Sequence, residues 1–494
     1  MRPAPILGLL AVCGCNQIFG LDKTAVRDGA TTDAAVARAH LRWLVATTDR
    51  ELIPKPLQRV PIDPPPEVQI GPVGGALSPV ELEPDGSVVY EVTPDKWRFV
   101  YTLGDSIPHE VQWNPGSGGG ELVVPLFGRH DRVVPPPANS GYRLDPTSPP
   151  SNGTPIRVFS VGLWTQGPNY LYAGPRDYAY AGMSSLSGVL GTPELAQGDA
   201  VVIQGTTNDS GCSVVSGAAH GQADLVAGTF SSIALFWKNT RDTFVQVSHE
   251  PLVDIEQRVQ TALGSRAGTI LPTRFEHGRI PSQGMPGFTQ PPSAQFVMPN
   301  PLLLPLVNCD FSVLTTPSFV ERGEQGSLPR ALHSQVVSSR TPVDGPGLAS
   351  GVQELVHTPG DAMGPFALAF NIKLAIAPIT LGTYDLADAP DDGPITITQP
   401  TTLSFALSSP PNGVADYFDV TVFRLDGESL VPIRIYTVTE PTAVIDPQDF
   451  STGLRYVLQI RSYGGYPDAD TGDFGTIVQP LTAGSIFTRT FIIN

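Results

Sequence analysis

Lysine is scarce in this sequence: only five of the 30 cationic residues are Lys, and 47 Asp and Glu outnumber all of them, for a formal charge of −17. So little positive charge argues against a nucleic-acid backbone as a partner, because no basic face could release enough counterions. Long apolar runs are missing too. Past the first residues, no segment reaches the roughly 18 uninterrupted apolar residues of a membrane-spanning helix. Cysteine occurs four times, at 13, 15, 212 and 309, without the Cys-x-x-Cys spacing of a zinc site.

Glycine and proline are what the chain has in excess, 50 and 51 of its 494 residues. Neither is tolerated inside helices, which excludes a mainly helical protein. Hydrophobic residues still make up 41% and recur in short Val/Ile/Leu/Phe runs, so wholesale disorder does not fit either. The expected class is all-β, with short strands joined by Gly/Pro turns in roughly three domains. These would be tandem β-sandwiches of Ig-like or Greek-key type, with one short helix in the middle region.

The start of the chain has a charged residue, a short apolar run and then Val12-Cys13-Gly14-Cys15, the anatomy of a secretory signal. That tetrad resembles the bacterial lipobox, which implies a signal peptide of 1–14 and an acylated Cys15. The next residues, Asn16-Gln17-Ile18-Phe19-Gly20-Leu21-Asp22, are similar to the mature ends of uncharacterised surface lipoproteins typical of myxobacteria. Asn16 stands where the best-known inner-membrane retention signal has Asp. The resemblance therefore implies the outer membrane or cell surface, with the bilayer as a partner through the N-terminal lipid. An ordinary secretory signal is the alternative. Residues 15–39 are small and polar and read as a disordered tether. With Cys13 removed and Cys15 lipidated, Cys212 and Cys309 remain as an even pair in an oxidising compartment, and a disulfide follows by elimination. Closing a loop of roughly 100 residues would contribute on the order of 4–5 kcal/mol; two buried free thiols are the alternative.

Residues 40–150 show period-two segments broken by turn chemistry, including Pro84-Asp85-Gly86 between 80–82 and 87–92, followed by 96–101. This arrangement resembles the carboxypeptidase-regulatory or transthyretin-like sandwich, a module that is usually non-catalytic. Gly- and Pro-rich stretches between 114 and 155 mark a boundary near 150. Residues 155–390 read as an irregular β-rich domain with strands near 156–164, 200–204, 231–237, 243–247 and 366–376. One helix is expected over 251–263, opened by Pro251 and ended by Gly264. In the last part, 393–494, the segments 402–405, 416–422 and 432–436 alternate as half-buried strands do. Residues 453–461 resemble the sixth strand of a fibronectin type III domain, in which a Tyr locks the sandwich corner. The resemblance assigns that part to Tyr456 and puts Phe405 where the family has a buried Trp. No internal repeat tiles the chain.

No catalytic residue is assigned. Gly104-Asp105-Ser106 resembles the nucleophile block of SGNH-type esterases, but no histidine has an Asp three residues before it, so Ser106 reads as part of a hairpin turn. The pairs His109-Glu110 and His249-Glu250 lack a second His and read as surface residues. Asp468, Asp470 and Asp473, around Gly472, would suit calcium, with a solvated acidic turn as the alternative; no other cofactor is implied. Trp164, Tyr170, Tyr172, Tyr178 and Tyr180 would suit either a carbohydrate-binding face or a strand core. The expected function is a membrane-anchored extracytoplasmic lipoprotein acting as a non-catalytic binding or structural surface module, with a protein or polysaccharide as its ligand. The competing readings are a secreted hydrolase with its site in the middle domain and a carbohydrate-binding protein.

Overall fold

The computed structural model describes residues 36–45, 58–61, 65–91, 96–102, 107–114, 121–127, 141–147, 152–160, 165–166, 170–171, 176–179, 184–185, 199–209, 212–223, 228–236, 238–239, 242–248, 250–271, 273–279, 304–311, 318–322, 330–342, 344–358, 365–367, 371–409, 413–476, 478 and 480–494. They form an all-β protein of packed sheets with the one α-helix Glu250–Leu263. Among the described residues no helix is long and apolar enough to cross a membrane.

Three successive segments share one strand order although their sequences do not repeat. In the first module, Val36–Val45 pairs antiparallel with Ser87–Glu91 and parallel with Glu121–Phe127, so 36–39 of the expected tether belong to a strand, held there by ladders to distant segments, with Ala39 buried. Opposite them, Glu67–Pro72 lies between Ser78–Val80 and Trp97–Thr102, and the latter pairs with Pro108–Trp113. The second module repeats this: Gly141–Thr147 takes Arg176–Ala179 antiparallel and Phe230–Phe236 parallel. There Pro155–Ser160 lies between Tyr170–Leu171 and Asp199–Asp209, which pairs with Cys212–Ala223. In the third, Asp242–Ser248 takes Ser318–Arg322 and Pro365–Ala367 in the same senses. Its second sheet runs Leu304–Phe311, Thr273–Arg279, Arg330–Arg340, Leu348–Thr358.

The fourth module differs at one edge. Thr401–Leu407 pairs with Thr442–Ile445, and the second sheet runs Ser429–Val438, Tyr417–Asp426, Arg455–Gly464, Leu481–Phe487. The remaining partner of Thr401–Leu407 is Ala375–Leu381, which precedes it in the chain and runs antiparallel. The expected strand over 366–376 is therefore two strands serving two modules, Pro365–Ala367 and Ala375–Leu381. The pairings also place two units of one topology where the sequence reads as a single irregular region. The reason is physical: strand order is set by hydrogen bonds between distant segments, and the intervening loops vary too much to leave a sequence period.

The second sheets of the four modules join edge to edge. Pro108–Trp113 runs parallel to Ser429–Val438, with His109 opposite Ile435 and Gln112 opposite Val438. Leu481–Phe487 pairs with Leu348–Thr358, and Leu304–Phe311 with Cys212–Ala223. The sheet thus passes from the first module to the fourth, the third and the second, and 22 strands belong to it.

Alternation fills the sandwiches. Phe418, Val420 and Val422 enter the fourth core with Leu403, Phe405, Leu458, Ile460 and Ile486, and Phe405 meets Phe418 edge-on at 5.2 Å. The helix sends Val259, Ala262 and Leu263 into the same cluster, beside Val336 and Val352. It stops at Gly264, whose φ of +53° a side chain would oppose. The Tyr456 hydroxyl accepts the backbone N–H of Ser451 at 2.8 Å, fastening the turn to the strand that follows it.

Candidate functional site

The most heavily charged buried region lies where Pro108–Trp113 meets Ser429–Val438. Strands alternate their side chains, so Glu110 and Gln112 leave the Pro108–Trp113 strand on one face, toward Arg434 and Tyr436. Arg98, from the neighbouring strand, donates to Glu110 Oε2 at 2.6 Å and to Asp446 Oδ2 at 3.2 Å. Arg434 donates to the same Glu110 oxygen at 2.9 Å and, through Nε, to Asp449 Oδ1 at 2.8 Å. The Tyr436 hydroxyl donates to the other Asp449 oxygen and accepts the Asp446 backbone N–H at 2.9 Å. Gln112 completes the seam: its amide donates to the Val444 carbonyl at 2.6 Å and accepts the Val444 N–H at 2.8 Å, closing the edge of Thr442–Ile445.

Arg98 is 4% exposed and Glu110 1%. The reading of His109-Glu110 as a surface pair is thus overturned, because a strand hydrogen-bonded on both edges and covered on both faces exposes neither side chain. His109 stacks on Tyr101 with ring centroids 5.1 Å apart.

Two guanidinium groups meet three carboxylates here, so one carboxylate is in excess. Burial pushes the Asp449 carboxyl up from 3.8 to about 6, against the opposing pull of Arg434 and Tyr436 and with a further push from Asp446. A folded state that holds this proton more tightly than the unfolded chain draws stability from it fully below about pH 3.8, and loses that stability as pH rises through about 6. The span amounts to about 3 kcal/mol at most. Asp449→Asn is therefore expected to gain on the parent as pH rises from about 4 to 7. Urea midpoints of the two proteins across that range check this, and parallel profiles would place the titration elsewhere.

A second polar cluster occupies the outer face of the fourth module's sheet. Arg461, 1% exposed, donates twice to Gln459 Oε1, at 2.9 and 2.7 Å, and Gln459 donates to Ser485 at 2.9 Å. Asp419 accepts from the Thr437 hydroxyl at 2.6 Å; burial pushes its carboxyl up, with the Thr437 bond and Arg461 pulling down. Beside it Tyr417 and Tyr463 stack at 4.6 Å, with Tyr466 and Phe474 edge-on to Tyr417.

The acidic loop has a structural task. Asp473 Oδ1 accepts the N–H groups of Gly475 and Thr476, and Oδ2 accepts the Thr476 hydroxyl. The loop docks on the first module through Val123, whose N–H reaches the Gly472 carbonyl at 2.8 Å and whose carbonyl accepts the Phe474 N–H at 3.1 Å. Gly472, with φ +95°, is pressed against the Trp113 ring, where a Cβ would lie 2.8 Å from it. Among the described residues, Asp468 and Asp470 included, no group of three His, Cys, Asp or Glu side chains is placed to hold a metal ion.

Cys13, Cys15, Ser106, His249, Trp164, Tyr172 and Tyr180 lie outside the described residues; Tyr170 and Tyr178 lie on strands of the second module. The backbone register sets Cys212 directly opposite Cys309. The buried seam itself left only a faint mark in the sequence. Charged residues at 98, 110 and 434, each inside an otherwise strand-like run, were that mark, because an exposed strand face reads identically until its partner is known. No family model and no curated protein matches this chain.

Proposed function

We propose that this chain is a lipid-anchored extracytoplasmic protein whose sandwich modules act as a non-catalytic structural or binding surface. The observation that carries the reading is the use made of buried charge. Arg98, Glu110, Arg434 and Asp449 neutralise one another across a junction between modules, which is how buried ion pairs hold a specific geometry rather than drive a reaction. Its support at the other end is the Val12-Cys13-Gly14-Cys15 order and the polar tether that follows. The tether would hold the modules clear of the outer membrane or cell surface, and the charge of −17 would keep them soluble beside anionic lipid. The resemblances to fibronectin type III and carboxypeptidase-regulatory modules agree with this role, and a protein or polysaccharide is the partner class. An oxidising compartment would also pair Cys212 with Cys309, to which their register lends support.

The test has two parts. Cys15→Ala should move the protein from the membrane to the soluble fraction and change the mass of its N-terminal peptide; unchanged fractionation sinks the anchor. The soluble mature chain should turn over no substrate in an esterase, glycosidase and peptidase screen. Turnover abolished by Ser106→Ala would replace the reading with a hydrolase.

A further inference from the structure

We propose that Cys212 and Cys309 form a disulfide that staples the second module to the third; the proposal rests on the extracytoplasmic reading above. Three junctions hold the continuous sheet together. The first and fourth modules meet along a parallel ladder from His109–Ile435 to Gln112–Val438, reinforced by the buried ions. The fourth and third meet from Gly351–Ser485 to Leu355–Leu481. The ladder between the second and third is the shortest: Val214 opposite Val307, Ser213 opposite Asn308, and Cys212 opposite Cys309 at its end. Both cysteines of the mature chain other than the lipidated one therefore sit at the junction with the least backbone pairing.

The geometry suits a bridge. Directly opposed residues of an antiparallel pair share a face of the sheet, with Cβ atoms about 4.5–5.5 Å apart. A disulfide spans Cβ separations of about 3.5–4.5 Å and Cα separations of about 4.4–6.8 Å, so a small local adjustment closes it. Position in the ladder matters as well. Cys212 is the first residue of its strand, opposite Asp209 across the hairpin, so a bond there pins the end from which the junction would fray. The chemistry is thiol–disulfide exchange with a donor protein disulfide. One cysteine thiolate attacks the donor to give a mixed disulfide; the second thiolate displaces the donor sulfur. The pair loses two electrons and two protons, the S–S bond forms, and the donor leaves as a dithiol.

The experiment compares two preparations of the full chain. Protein from the cell envelope, alkylated before lysis, should give a Cys212–Cys309 linked peptide that disappears on reduction. Protein made in a reducing cytoplasm and then treated with oxidised glutathione should give the same peptide. Both thiols alkylated in both preparations overturns the register; a link found only after glutathione overturns the compartment, and with it the native bridge. For the staple itself, hydrogen exchange in 212–214 and 307–309 should quicken on the order of tenfold in Cys212→Ser and equally in Cys212→Ser/Cys309→Ser, with 417–464 unchanged. Reduction of the unmutated protein should reproduce this if a variant folds poorly. Exchange that is unaltered by reduction would remove the stapling role.

Discussion

Glu110→Ala is expected to destabilise the protein by about 3 kcal/mol or more, because it leaves buried charged donors of Arg98 and Arg434 short of an acceptor even though Asp446 and Asp449 still pair with them. Both Arg98 and Arg434 share a single Glu110 oxygen, and the other oxygen accepts the Gln112 amide at 2.9 Å. The substitution therefore strips acceptors from three side chains at once. It also loosens Gln112, whose amide closes the exposed polar edge at Val444. Lys96–Glu440, a neighbouring pair on the surface at 2.6 Å, is the internal control. Lys96→Ala should cost only about 0–1 kcal/mol, since water screens both ions. Trp97 and Trp113 are opposed on the strands that carry Arg98 and Gln112, so tryptophan fluorescence during denaturation reads this region. A Glu110→Ala loss no greater than that of Lys96→Ala would mean that solvent reaches the seam.

Leu381→Ala should cost about 2–5 kcal/mol, the usual range for a buried Leu whose cavity cannot collapse. Leu381 is fully buried on Ala375–Leu381, in the cluster that holds Leu403, Phe405 and Phe418. All five Trp residues lie at or before position 237, so in an isolated fragment of this module tyrosine fluorescence follows its unfolding. The same packing predicts that a fragment beginning at 393 unfolds without cooperativity, whereas one beginning at 371 retains a transition. The shorter piece lacks Ile372, Leu374, Ile379, Leu381 and Leu386, all of the same core. Cooperative melting of the 393–494 fragment would show that the preceding strand is dispensable.

The strands that could be located from sequence were those with local cues. The turn at Pro84-Asp85-Gly86 is held by Asp85 accepting the Ser87 N–H at 2.9 Å, with Gly86 at φ +76°. Its residues carry those preferences themselves. The helix was legible for the same reason, because Pro251, the apolar spacing and Gly264 all belong to one continuous short segment. Buried polar positions were not. Gln459 and Arg461 alternate with Leu458 and Ile460, and that alternation normally marks a solvent-facing side; here both faces are covered.

By itself the sequence determined what depends on neighbouring residues and on bulk composition. These are the all-β class through Gly and Pro, some of the strand and turn positions, the single helix, and the expectation of a lipid anchor at Cys15. Tertiary structure alone decided the repetition of one strand order in three modules, the joining of four modules by one sheet, and the burial of Glu110 between two arginines. Each of these is a pairing of residues far apart in the chain. Its free energy comes from the partner, through a shared hydrogen-bond ladder or a charge neutralised out of water, and a strand's own residues look the same whichever partner it finds.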